Sequence, residues 1–207
     1  MPETEQLYKV LNTDGSCYHG GQGRWYLPDG ENPGEWMPTL RGELEPCVKG
    51  YHVLRVPDLV YWIGPALWTV EYEGDRIDGD DKVVVRKARI LARVETWNDR
   101  ILRLFACDCA ERVLSHAPNP DPRSINAIIV ARRFANGEAT AAELLAAWDA
   151  AEAAAEAAAE TAAWAAAEAA AWDAAWAAAW ADAGAATGTA ERAWQTQRLM
   201  SYIHGEE

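Results

Sequence analysis

From Thr140 to about Ala183 the chain contains no glycine and no proline, and most of its residues are alanine. Alanine is the strongest helix former, and with both helix breakers missing this stretch predicts helix throughout. A capping box, Thr140-Ala-Ala-Glu143, opens it, with hydroxyl and carboxylate each satisfying a backbone N–H of the first turn. A straight helix of this length would exceed about 60 Å at about 1.5 Å per residue. Gly184 and the turn Thr187-Gly188-Thr189 predict its end, and a last helix follows from Ala190 to about Ile203.

Within this run, large or acidic residues recur every four positions: Trp148, Glu152, Glu156, Glu160, Trp164, Glu168, Trp172, Trp176 and Trp180. A four-residue step turns a helix by about 400°, so the row drifts by about 40° each time. Trp172, Trp176 and Trp180 therefore share a face that Trp148 does not. Either the helix bends or breaks near Thr161, or different neighbours cover successive faces. Alanine buries little area per residue, so the 11 tryptophans are the natural source of core. The structural reading of the ladder is a tight helical bundle or an intermolecular helical pairing. The functional reading is an aromatic stripe, Trp164, Trp172, Trp176 and Trp180, that stacks a partner or ligand, with Arg123, Arg132 and Arg198 as its cationic companions.

Upstream the patterning changes. Leu7, Tyr8, Val10 and Leu11 predict a short strand, Arg24 to Leu27 a second, Tyr51 to Arg55 a third, and Leu67 to Tyr72 a fourth. Pro57 opens a short helix over 58–63, closed by Gly64. Asp75 to Asp81 reads as a solvated acidic turn, without the spacing of a calcium loop. Lys82 to Val94 is a β-branched run and the principal strand. Thr96 begins a helix to about Ser115, with Asp99 three residues on. Asp121 caps another, with Pro122 at its first position and Asn136-Gly137 at its close. The fold class is α+β: a small mixed β-sheet domain over 1–95, then an Ala/Trp-rich helical bundle over 96–207.

The net charge of −13 opposes a nucleic-acid binder, which needs a basic footprint, and opposes an anionic membrane surface. Residues 141–190 hold eight acids and no Lys or Arg, a charge of −8 that suits a partner with a basic surface. Met1 to Gln6 is polar, with no apolar leader, and Glu and Asp interrupt the alanine run too often for a bilayer. The four cysteines form no disulfide framework, so a cytoplasmic location is expected. Cys107 and Cys109 flank Asp108 on a helix and read as packing residues.

Cys17, His19, Cys47 and His52 together make a Cys₂His₂ set, the donor types that zinc takes in a tetrahedron. Their spacings, Cys-x-His and Cys-x₄-His, match no familiar zinc knuckle, so no metal and no cofactor is expected. His19 in a Gly-rich loop and Tyr51-His52 on a strand also suggest a nucleotide pocket. There is no P-loop, no GxGxxG and no nucleophile elbow, so no enzyme activity is expected.

Two stretches carry a resemblance. Leu104-Phe-Ala-Cys-Asp-Cys-Ala-Glu-Arg-Val-Leu114, then Arg123-Ser-Ile-Asn-Ala-Ile128, then Ala131-Arg-Arg-Phe-Ala-Asn-Gly-Glu-Ala-Thr-Ala-Ala-Glu-Leu144, followed by an Ala/Trp run, resemble a family of immunity proteins of actinobacterial and phage genomes, over about 97–203. The family's alanine run usually carries arginines; this one carries acids. Leu7-Tyr-Lys-Val-Leu11, Cys47-Val-Lys-Gly-Tyr-His52, Asp58-Leu59 and Asp81-Lys-Val-Val-Val85 resemble an uncharacterised phage-associated domain over about 5–94. The resemblance implies a non-enzymatic, immunity-like or phage anti-defence protein that neutralises a toxin or defence factor by protein–protein contact, in the host cytoplasm where phage-encoded. Two alternatives stand beside it. One is a sponge for a nucleotide signal; the other is a phage structural or assembly protein that forms a homo-oligomer through its alanine-rich helices.

Overall fold

The computed structural model describes residues 5–21, 23–116, 119–153 and 174–206, with 174–187 described by their backbone alone. The fold is α+β, and the chain divides into two compact units, Met1–Asn98 with Ala193–Glu207, and Asp99–Arg192. The sequence division had put all of 96–207 with the helices; residues 193–207 instead group with the sheet. No helix among the described residues is long and apolar enough to cross a membrane.

The first unit is built on four antiparallel strands, β1 (Leu7–Leu11), β2 (Tyr51–Val53), β3 (Ala66–Asp78) and β4 (Val83–Arg93), in the order β1-β3-β4-β2. The sheet curls until its outer strands meet: Tyr8 N–H donates to the Leu54 carbonyl and Leu54 N–H donates back to Tyr8, both at 2.8 Å. Register then decides what lies inside. Leu7, Lys9 and Leu11 alternate onto one face and stand opposite Val70, Trp68 and Ala66. Leu7, Leu11, Val53, Ala66, Trp68, Val70, Val83, Val85, Ala88 and Ile90 form one buried cluster with Trp25 and Met37.

The opposite face of β3 and β4 carries matched charges. Glu71 sits opposite Arg89 and Glu73 opposite Lys87, both pairs in contact, and Trp36 lies against Lys87 and Arg89 at 4.4 and 4.6 Å. Gly74, at φ 83°, occupies the bulge between Glu73 and Arg76, a backbone conformation that glycine adopts without strain. The loop 34–40 covers the free part of the β4 edge through bonds from Gly34, Met37 and Leu40 to Ile90, Ala88 and Arg86.

Several elements differ from the sequence reading. Arg24 to Leu27 is not a strand; only Arg24 bridges, to Ser16, through Trp25 N–H donating to the Gly15 carbonyl and Cys17 N–H donating to the Gly23 carbonyl. The short helix after Arg55 is a 3-10 helix, Val56–Tyr61, held by buried Asp58 accepting from Arg55 N–H and guanidinium. The acidic segment from Asp75 is largely strand, because Asp75 pairs with Arg86, and Asp78 with Arg76 and Arg55. Thr96 does not cap a helix; its hydroxyl donates to the Ile203 carbonyl at 2.7 Å.

The second unit contains α1 (Asp99–Ser115), α2 (Pro122–Ala135), α3 (141–153) and the first part of α4 (Ala174–Ile203). Asp121 caps α2 through Arg123 N–H at 2.8 Å, and Gly137 follows its end at φ 76°. The Thr140–Glu143 box is formed in both directions, at 2.8 and 3.2 Å. The break expected at Gly184 and at Thr187-Gly188-Thr189 is absent, since α4 runs through both. One glycine inside a helix costs only about 1 kcal/mol against alanine, and the alanines around it outweigh that. Whether the helix begun at Thr140 is continuous to Ala183 lies outside the described residues.

Trp97 is fully buried and its Nε1–H donates to the Gly64 carbonyl at 2.8 Å. Trp97→Phe should lower the unfolding free energy in urea by about 1–3 kcal/mol, since it removes a buried hydrogen bond and some packing. Tyr61→Phe, at an exposed position, should stay within about 0.5 kcal/mol.

Candidate functional site

Curling leaves a gap beside the buried cluster. A cavity of about 420 Å³ opens between β1, β2, residues 17–21, Gly23, Trp25, the loop 47–50 and Trp62. Cys17, His19, Cys47 and His52 all line it, together with Gly20, Gly21 and Tyr51. His19 and His52, 33 residues apart in sequence, are brought to one site because the sheet joins β1 to the end of β2.

Among the described residues no group of three His, Cys, Asp or Glu side chains is placed to hold a metal ion. His52 Nε2 instead accepts the Cys47 N–H at 3.0 Å. That bond consumes the nitrogen's lone pair and leaves the proton of the neutral ring on Nδ1. Burial, then Lys9 and Lys82, push the His52 pKa down, while Asp81 acts the other way. Cys47 has φ 64°, which among the described residues no other non-glycine shares, so the His52 bond holds a strained loop in place.

The walls are aromatic. Trp25 meets Tyr51 edge to face at 5.5 Å, and His19 meets Trp62 likewise at 5.1 Å. Tyr51 is fixed by its hydroxyl donating to the Pro38 carbonyl, and Trp62 by Nε1–H donating to the Asp81 carbonyl. Two lysines reach the same space. Lys82 Nζ lies 4.7 Å from the Trp62 ring and 3.6 Å from Asp81. Lys9 Nζ donates to the His52 carbonyl at 2.8 Å and lies 5.3 Å from the Trp25 ring. No carboxylate lines the cavity among the described residues. Burial holds the Lys9 pKa down to about 8, against a small opposing effect of Cys17.

Lys9, Trp25, Trp62 and Lys82 were not among the residues singled out from the sequence. For Lys9 a signal exists: within Leu-Tyr-Lys-Val-Leu it is the only charge, and alternation puts it on the same face as Leu7 and Leu11. For Trp25, Trp62 and Lys82 the chain offers none, since each comes from a different loop or turn.

The arginines proposed as ligand contacts are engaged within the chain. Arg123 bonds its own cap Asp121, Arg132 bonds Asp108 and Glu111 at 2.6 Å each, and Arg198 lies over the Tyr202 ring and bonds its hydroxyl. Trp164 and Trp172 lie outside the described residues; Trp176 and Trp180 are on α4 with their side chains outside them. Cys107 is buried, Cys109 half-buried, and burial pushes both thiols up, Cys109 to about 11. Neither is a thiolate at neutral pH. A second hollow, of about 270 Å³, lies in the helical unit among Cys107, Ala131, Phe134, Leu144 and Trp148.

A lysine whose pKa falls on folding burdens the native state while protonated. The unfolded chain holds the proton more tightly, so the penalty is full below about pH 8 and vanishes as pH rises through the unfolded value of 10.5. Wild-type stability measured against Lys9→Met should therefore climb between about pH 8 and 10.5. A flat difference across that window would place Lys9 in solvent.

Compared with family models, with curated proteins and with solved structures, the chain finds no match in any of the three.

Proposed function

We propose that this protein is a non-enzymatic binding module whose sheet cavity takes up a small anionic ligand with a flat ring, of the nucleotide class. The observation that carries this is Lys9. It is a half-buried cation on the inner face of a strand, with no acid lining the space around it. Such a group weakens the fold unless an anion joins it, and unmatched charges of this kind mark binding sites. The volume is within the usual range of about 300–1,000 Å³ for small-molecule sites, and aromatic walls with few polar groups are their usual lining. Lys9 and Lys82 supply charge for a phosphate, and the rings supply stacking and edge contacts for a base. The nucleotide-sponge reading of the sequence is thereby retained, with its site moved from the helical tryptophans to the sheet.

Adenosine monophosphate titrated into the full chain should quench tryptophan fluorescence saturably. Lys9→Met should weaken that binding by about ten- to a hundredfold, the worth of a charge-assisted hydrogen bond. Silence across a panel of purine and pyrimidine nucleotides would remove the reading.

A second reading rests on the helical unit. Ile125, Ile129, Leu145 and Trp148 are exposed apolar residues of α2 and α3, with Leu144 and Trp148 bordering the smaller hollow. Exposed apolar groups beside an acid-rich helix suit contact with a basic protein, in line with the immunity-like resemblance and a cytoplasmic setting. Trp148→Ala should then abolish capture of a defined partner while leaving adenosine monophosphate binding unchanged; equal capture by wild type and variant would count against it.

A further inference from the structure

We propose that Lys9 is a covalent attachment site, whose Nζ forms a reversible imine with the carbonyl carbon of a small anionic aldehyde or keto acid held in the cavity. The inference rests on reading this cavity as a ligand site and names a further chemistry for it. Three features support it. Lys9 is fixed rather than free, because one N–H is spent on the His52 carbonyl at 2.8 Å. No carboxylate lines the cavity around it among the described residues, so no ion pair holds it in its ammonium form. Aromatic rings stand beside it: the Trp25 ring lies at 5.3 Å and meets Tyr51 edge to face.

The chemistry balances within the pair of reactants. The neutral Nζ lone pair adds to the carbonyl carbon, and the carbonyl π electrons pass to oxygen, which takes the proton that nitrogen loses. The resulting hydroxyl departs as water, taking up the second nitrogen proton, and C=N remains. Lys82 and the neutral His52 ring are the polar groups available for the anionic end of such a ligand. With burial lowering the Lys9 pKa to about 8, its neutral fraction near pH 7 exceeds that of an ordinary lysine by roughly three-hundredfold. The charged and titratable groups lining the cavity with Lys9 are Cys17, Tyr18, His19, Cys47, Tyr51, His52 and Lys82. A Cys17 hemithioacetal is not reduced by cyanoborohydride, so the trap below reads amine chemistry alone.

The full chain would be treated with glyoxylate and sodium cyanoborohydride, and the labelled lysines located by peptide mass mapping. Lys9 should carry the carboxymethyl group at least about tenfold faster than exposed Lys49, with a rate that levels off above a midpoint of about pH 8. Labelling of Lys9 no faster than Lys49, or a rate still rising steeply at pH 10, would overturn the proposal. Lys9→Arg should lose the fast label; the wild-type pH profile decides the matter if that variant does not fold. Nucleotide binding without a fast label would defeat the imine alone, and a fast label without nucleotide binding would defeat the nucleotide reading alone.

Discussion

The reciprocal pair of hydrogen bonds between Tyr8 and Leu54 is the constraint on which the first unit depends. Four strands in the order β1-β3-β4-β2 would otherwise leave β1 and β2 as open edges. Joining them gives the sheet an inside, and strand alternation then assigns Leu7, Lys9, Leu11, Tyr51, Val53, Val83 and Val85 to it. Valines and leucines fill one part. The remainder stays hollow because residues 17–21, the loop 47–50 and Trp62 wall it off with glycines, cysteines and rings held by their own hydrogen bonds.

Charge is distributed in keeping with that division. On the outer face of β3 and β4, cation stands opposite acid along the strands, and Trp36 packs over the cations. In the helical unit Arg132 meets two acids and Arg112 meets Glu191. A chain with 19 basic and 32 acidic residues could have neutralised Lys9 many times over. That no acid among the described residues lines the cavity is therefore a property of the site and cannot be put down to composition.

Legibility from sequence followed the range of the forces involved. Helix limits set by side chain to backbone bonds within four residues were readable: Asp121 and Pro122 at the start of α2, Gly137 after it, Thr140 with Glu143 at the start of α3. Strands β1 and β4 were readable from apolar runs. Thr96 misled because its hydroxyl had a competitor 107 residues away, the Ile203 carbonyl. Gly184 and Gly188 misled because local breakers are overridden by a long run of strong helix formers. Arg24 to Leu27 misled because its apolar residues are inside for a different reason, Trp25 being drawn into the sheet cluster from a loop.

The sequence by itself determined an α+β chain with an acid-rich, lysine- and arginine-free helical run, and it marked His19, Tyr51 and His52 as residues that could share a pocket. It contained Lys9 on the inner side of a strand, since alternation is a local rule. Only the tertiary structure decided that the pocket exists, that Trp25, Trp62 and Lys82 complete it, and that Arg123, Arg132 and Arg198 are already occupied. Those outcomes depend on which distant backbone groups meet, Tyr8 with Leu54 above all, and on which acids reach which cations. Such pairings are settled by closure of the whole sheet and by packing of helix on helix, and no window of neighbouring residues contains them.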